Sequence, residues 1–365
     1  MRIGVPKEVA ANERRVALTP EVAGRLTKGG YEVVIERGAG SAAFFPDEAY
    51  VKAGAGLGTR DSVLGRSDII VQVQAPSPES LAQIPEGTAL VAFFQPVPDF
   101  LRALAHRKLT AFSLVLLPRI TRAQPMDVLS SQATVAGYKA VLLAATATGR
   151  LLPMLVTAAG TVPAARVLVL GAGVAGLQAI ATARRLGAIV SAFDVRPAVK
   201  EQVQSLGATF LEMAIAEHAE TAGGYAKELS EETHRKELEF LARAVKDADI
   251  VISTAAIPGK KAPILITAAA VQGMKPGAVI VDLAAETGGN CELTEPGSEI
   301  VRNGVSILGP LNLASTLPLD ASQMYAKNVA AFLGHIVQDG KLRLDFEDQI
   351  IRDTCVTYAG EVRKS

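Results

Sequence analysis

One segment constrains this chain more than any other: Arg166-Val-Leu-Val-Leu-Gly-Ala-Gly-Val-Ala-Gly-Leu-Gln178. An apolar run of strand type leads straight into Gly171, Gly173 and Gly176, and then into a helix-type pattern. In that order the glycines have separate tasks. Gly171 makes the tight turn, Gly173 lets backbone approach a pyrophosphate, and Gly176 lets the helix pack on the strand. The helix N-terminus then offers unpaired N–H groups and the positive end of its dipole to phosphates. A lone GxGxxG is weak, but here the next strand-like run, Ile189–Phe193, ends on Asp194. A carboxylate there accepts hydrogen bonds from an adenosine ribose and repels a 2′-phosphate. Together these residues predict a Rossmann βαβ unit that binds NAD(H). Val195 and Arg196 follow directly. Arg196 is the one feature suited to a 2′-phosphate; with Asp194 ahead of it, NAD is expected rather than NADP.

The same alternation of strand and helix runs through the chain. Residues 2–6, 31–36, 68–73, 89–94 and 109–117 read as strands, with helices at 20–28, 47–53 and 98–107 between them. A second series has strands at 166–170, 189–193, 209–211, 250–254, 278–283 and 305–308, and helical stretches at 128–149 and 320–337 flank it. Alternating elements of this kind imply right-handed crossovers and parallel sheets. At 365 residues the chain exceeds what one core usually supports. The expected fold is therefore α/β, with two Rossmann-like parallel-sheet domains separated by a cleft. The first is discontinuous, 1–130 plus 308–365, and the second is 131–307. The polar link at 212–232 is long for such a fold and reads as a lid.

Composition excludes several classes. Lys+Arg and Asp+Glu balance at 37 each, so no net field favours nucleic acid or an anionic membrane. The two cysteines, Cys291 and Cys355, form no CxxC, and the four histidines do not cluster at ligand spacing, so no metal is expected. His106 and His234 read as solvated surface. The most apolar uncharged stretch, from Arg166 to Arg184, falls short of the roughly 20 residues of a membrane span and reads as strand plus helix. With strand pattern starting at Arg2, no leader is expected and the chain reads as soluble.

Several blocks carry a resemblance. They are Ile3-Gly-Val-Pro-Lys-Glu8, Arg15-Val-Ala-Leu-Thr-Pro20, Pro118-Arg-Ile-Thr-Arg-Ala-Gln-Pro-Met-Asp127, Thr157-Ala-Ala-Gly-Thr-Val-Pro163, Glu220-Thr-Ala-Gly-Gly-Tyr-Ala-Lys227, Ile257-Pro-Gly-Lys260 and Asp282-Leu-Ala-Ala-Glu-Thr-Gly-Gly-Asn290. Over nearly its full length the sequence resembles the NAD(H)-binding component, domain I, of the proton-translocating NAD(P) transhydrogenases. The related alanine dehydrogenases share the fold, but lack the block at 119–131. Where they carry a catalytic lysine and histidine, this sequence has Gln74 and Gln95. A glutamine cannot titrate, so it supplies no general base or proton relay. Arg15, which matches their carboxylate-binding arginine, is left with a structural role.

Hydride transfer itself needs no acid or base, only two nicotinamide rings held face to face. The resemblance assigns Arg119, Gln124 and Asp127 to the nicotinamide, with Ser130 just beyond. An arginine and a carboxylate suit the carboxamide, which has one acceptor and two donors. It also implies that a mobile loop at 221–227, with Gly224 and Tyr225 as contacts, closes over nucleotide, and that Val174 and Ala256 line the dinucleotide cleft. Since the 365 residues hold neither membrane helices nor a second nucleotide fold, NADP(H) is expected on a separate domain III and proton translocation on a separate membrane domain. A homodimer in the cytoplasm, peripheral to the inner membrane through these partners, is the expected state. An alanine dehydrogenase-like amino-acid oxidoreductase and a non-catalytic NAD-binding regulator are the alternatives.

Overall fold

The structure, a computed structural model, describes residues 1–213, 230–257 and 260–363. The chain divides into two compact units, one of residues 1–132 and 314–365, the other of residues 133–313.

The first unit is built on an eight-stranded sheet. Its parallel core pairs Arg2–Val5 with Glu32–Glu36 on one side and with Ile69–Val71 on the other. Ala89–Ala92 and Thr110–Ser113 extend it in the same direction. Such strands are buried on both faces. Ile3, Val5, Ile69 and Val71 pack on one side against Tyr325, Val329 and Phe332 of the helix Pro318–Ile336. Ile70, Leu90 and Ala111 pack on the other against Leu101 and Leu104 of the helix Pro98–His106. The strand expected at 109–117 stops at Ser113, and Leu114–Leu116 turns as a 3-10 helix.

The second unit has a seven-stranded sheet. Arg166–Leu170 lies at its centre, paired in parallel with Ile189–Phe193 and with Ile250–Ser253. The chain runs outward from that strand in one direction, then returns to its other side at Ile250. Strand order therefore reverses between Arg166–Leu170 and Ile250–Ser253. Val167, Val169, Ile250 and Ile252 form one face of the core, and Leu168, Leu170, Val251 and Ile280 the other.

The parallel expectation holds for the centre of each sheet but misses its edges. Glu299–Arg302 runs antiparallel to Val305–Leu308, and Cys355–Tyr358 runs antiparallel to Thr110–Ser113 and to Glu361–Val362. Asn303 and Gly304, the two residues of the first hairpin's turn, both have positive φ, 53° and 77°. That is the turn whose twist matches the strands it joins. Asp339-Gly340 and Ala359-Gly360 make two more of the same kind.

Among the described residues one helix, Val128–Ala147, is long and apolar enough to cross a membrane by length and composition. Its packing is that of a core helix. Ala140, Val141 and Ala144 lie in the core of the second unit. A Cβ on Gly137 would sit 2.1 Å from the backbone oxygen of Ala175, so this helix rests directly on the start of the next.

Candidate functional site

In open α/β sheets, ligands bind outside the carboxyl ends of the strands where strand order reverses. In the second unit that point lies between Leu170 and Ser253, and the glycine turn stands on one side of it. Gly171 has φ +91°, and a Cβ there would press on Thr254 Oγ1 at 2.8 Å. Gly176 is tighter: its Cβ would lie 1.8 Å from the backbone oxygen of Gly171. Gly173, the N-cap of the helix Val174–Arg185, would meet nothing within 4 Å. Two glycines therefore serve packing, while the third leaves open backbone where a phosphate would approach. Val174, at the first helical position, is exposed.

Asp194 is buried at the end of the next strand. Its carboxylate accepts the backbone N–H of Ala172 at 2.7 Å, which ties it to the glycine turn. Arg196 donates to it from the backbone N–H at 2.9 Å, from Nε at 2.9 Å and from Nη2 at 2.8 Å. Val195, between them, packs on the core beneath. Glu237, on the helix Glu231–Asp247, is also buried. Burial pushes its carboxyl up, a bond from His234 opposes that, and the charge of Asp194 adds to it. His234 reaches Glu237 at 2.8 Å, so it is not simply solvated surface.

Across the reversal point, Thr254 Oγ1 donates to the backbone oxygens of Gly171 and Leu170, at 3.0 and 3.3 Å. Asn290 fixes the strand that precedes Ala256. It accepts from Ser253 Oγ at 2.6 Å and donates to the Ala255 oxygen at 2.9 Å. Asn290 is set in turn by Asp282, whose Oδ2 accepts the N–H groups of Asn290 and Cys291 and the hydroxyl of Thr294. Ala256 itself is exposed. Gly224, Tyr225 and the 221–227 segment lie outside the described residues.

In the first unit, residues Thr121–Met126 form a 3-10 helix. Its three-residue turn explains the pattern: Ala123 and Met126 point into the core with Ile120 beside them, while Gln124 is exposed. Gln124 and Asp127, also three apart, stack on one side. Arg119, exposed, comes just before the helix. Asn328 Nδ2 donates to the Pro125 oxygen at 2.8 Å and pins the segment from outside. Asp127 is then the N-cap of Val128–Ala147, accepting from the N–H and hydroxyl of Ser130.

Strand order reverses in the first unit as well, between Arg2–Val5 and Ile69–Val71, and there the chain's own side chains fill the place. Glu8 accepts the N–H groups of Val73 and Gln74. Arg15, buried, gives Nε and Nη2 to Glu13 and Nη1 to Gln132. Gln74 Nε2 donates to Glu13 at 2.8 Å. This buried guanidinium is already neutralised by a buried carboxylate. Gln95 is exposed and outside this network.

Residues 4–136 match the alanine dehydrogenase/PNT N-terminal domain, and residues 140–365 match the corresponding C-terminal domain. The chain belongs to the alanine dehydrogenase/PNT family. Within that family it lies with the transhydrogenases. It is 48% identical to the NAD(P) transhydrogenase subunit alpha of Haemophilus influenzae, over 99% of this chain and 71% of that one. It is also 48% identical to an NAD(P) transhydrogenase subunit alpha chain of Rhodospirillum rubrum, over 99% of this chain and 97% of that one. The crystal structure of transhydrogenase from Sinorhizobium meliloti superposes with a TM-score of 0.90 at 46% identity, covering 99% of this chain and 100% of that one. An L-alanine dehydrogenase structure superposes at 0.82 with 26% identity, over 99% and 96%. The alanine dehydrogenase branch is thus the more distant one.

Proposed function

We propose that this chain is the NAD(H)-carrying subunit of a proton-translocating transhydrogenase, passing hydride from NADH to NADP⁺ held by a partner. NADH is then a substrate, and it supplies the hydride. The observation that carries the reading is the glycine turn of 171–176 standing at the point of strand reversal, with Asp194 hydrogen-bonded to it. The turn and the helix dipole hold the pyrophosphate. Asp194 holds the adenosine ribose, with Val195 and Arg196 beside it, and Val174 and Ala256 give apolar contact. By resemblance, Gly224 and Tyr225 add contacts over the nucleotide. Arg119 and Asp127 orient the nicotinamide carboxamide, Gln124 aligns the ring towards the acceptor, and Ser130 supports Asp127.

The chain's own part is therefore to bind and to orient, with no proton moved at the reacting carbon. Proton translocation falls to a membrane partner, and NADP(H) to a further partner domain. The proposed assembly holds two copies of this chain at the cytoplasmic face of the inner membrane. The test is direct: the chain is mixed with an NADP⁺-loaded partner and NADH deuterated at C4. Deuterium should appear in NADPH by mass spectrometry; transfer no faster than without the chain refutes the proposal.

A further inference from the structure

An ionised carboxylate offers about four lone-pair positions. At Asp194 four N–H donors occupy them: Ala172 N, Arg196 N, Arg196 Nε and Arg196 Nη2, all at 2.7 to 2.9 Å. Two of these come from backbone that the turn and the strand end hold in place. The other two come from one movable side chain, in a charged, two-point contact on both carboxylate oxygens. A ribose diol also brings two donors to a carboxylate. With Arg196 in this position, Asp194 has nothing left with which to accept them.

We propose that the Arg196 guanidinium is an internal occupant of the adenosine-ribose subsite, one that NADH displaces and a 2′-phosphate recruits. Arg196 thereby blunts the discrimination that Asp194 alone would give. The inference rests on the nucleotide reading above and adds a specificity-determining residue to it. Its chemistry is an exchange. When the diol arrives, two guanidinium bonds to Asp194 give way to two hydroxyl bonds, and the guanidinium turns outward. A 2′-phosphate brings negative charge to the same place and gives that guanidinium a bidentate partner. The buried Glu237 near Asp194 makes the position still less hospitable to an anion without Arg196.

The experiment measures NADH and NADPH affinity by calorimetry for the full chain and for Arg196→Ala and Arg196→Lys. Arg196→Ala removes both competitor and phosphate partner. NADH should bind several-fold more tightly and NADPH at least tenfold more weakly. Arg196→Lys keeps the charge but cannot chelate both oxygens, so NADH should again tighten while NADPH is retained. NADH binding itself reports that each variant is folded. Weaker NADH binding in Arg196→Ala would make Arg196 an ordinary contact of NADH and overturn the inference. So would an NADH/NADPH ratio unchanged from the parent chain. If the unmodified chain binds neither nucleotide, the nucleotide reading fails and this inference goes with it. An unmoved ratio on a chain that binds NADH removes Arg196 alone.

Discussion

Ser130 donates both its backbone N–H and its hydroxyl to the carboxylate of Asp127, at 2.9 and 2.6 Å. Asp127 therefore has two tasks, capping the helix Val128–Ala147 and serving the proposed nicotinamide site, and substitution can separate them. Asparagine caps a helix about as well as aspartate, whereas alanine costs about 1 kcal/mol. Asp127→Asn should leave the thermal midpoint unchanged and slow hydride transfer. Asp127→Ala should lower both. A midpoint that falls in Asp127→Asn would place the charge itself in the fold.

The glycine turn makes a similar split. Gly173 is extended and meets no neighbour, so Gly173→Ala should keep stability within about 0.5 kcal/mol. Its Cβ would stand where backbone should approach a pyrophosphate, and NADH affinity should fall at least tenfold. Gly176→Ala drives a Cβ into the Gly171 carbonyl. Overpacking of that kind costs about 1–3 kcal/mol, and denaturation should show it without nucleotide. NADH binding that ignores Gly173→Ala would remove the phosphate role from this turn.

This contrast shows what the sequence made legible. A glycine turn, the strand before it and the carboxylate after the next strand are local features, and each stands where its spacing put it. Thr254, Asn290 and Gly137 escaped because their value lies in contacts with distant segments. Thr254 reaches Gly171, Asn290 reaches Ala255, and Gly137 reaches Ala175. Asn290 closed a block that carried the resemblance, but nothing local showed that it buttresses a loop. The antiparallel edges are a different case. Asn303-Gly304 is a strong short-range hairpin signal, and the regular β/α alternation around it masked it. Arg15 shows the reverse: its structural role followed from Gln74 and Gln95, and the structure supplies the bonds to Glu13 and Gln132.

Glu8 makes the first unit sensitive to pH. Burial pushes its carboxyl from 4.5 up to about 8; the charge of Glu13 adds to this, and the N–H groups of Val73 and Gln74 and the charge of Arg15 oppose it. A raised carboxyl binds its proton more tightly in the folded chain than in the unfolded one. Its contribution is full below about 4.5 and is lost as pH rises through about 8, with a slope of up to about 1.4 kcal/mol per unit. Glu8→Gln should flatten the fall in urea midpoint between pH 5 and 8, whatever its effect on absolute stability. Equal slopes in the two chains would mean that Glu8 is ionised throughout.

The filled reversal point of the first unit predicts an absence of activity. A 2-oxo acid would need an uncompensated cation for its carboxylate, and Glu13 already neutralises Arg15. Amino-acid oxidation would also need a titrating base, and neither Gln74 nor Gln95 can be one. L-Alanine and NAD⁺ at high pH should give no NADH above a no-enzyme control. Turnover that survives repurification would return the chain to the dehydrogenase branch in function.

Gln124 offers the sharpest test of the proposed mechanism. The groups proposed to hold most of the nucleotide, the 171–176 turn and Asp194, belong to the second unit. Gln124 stands in the first, exposed on a 3-10 turn anchored by Ala123, Met126 and the Asn328–Pro125 bond. Gln124→Asn removes one methylene, keeps the amide and disturbs none of these anchors, so the thermal midpoint should not move. NADH affinity should stay within a few-fold. Ring alignment is far less forgiving, because a displacement near 1 Å at reacting atoms can cost about a hundredfold in rate. Rapid-quench deuterium transfer to a partner loaded with NADP⁺ should therefore slow by roughly one to two orders of magnitude. The comparison isolates the step, since affinity and rate come from the same variant under the same conditions. If affinity and rate fell by the same factor, Gln124 would be a binding residue, and alignment of the rings would have to be sought elsewhere in the chain.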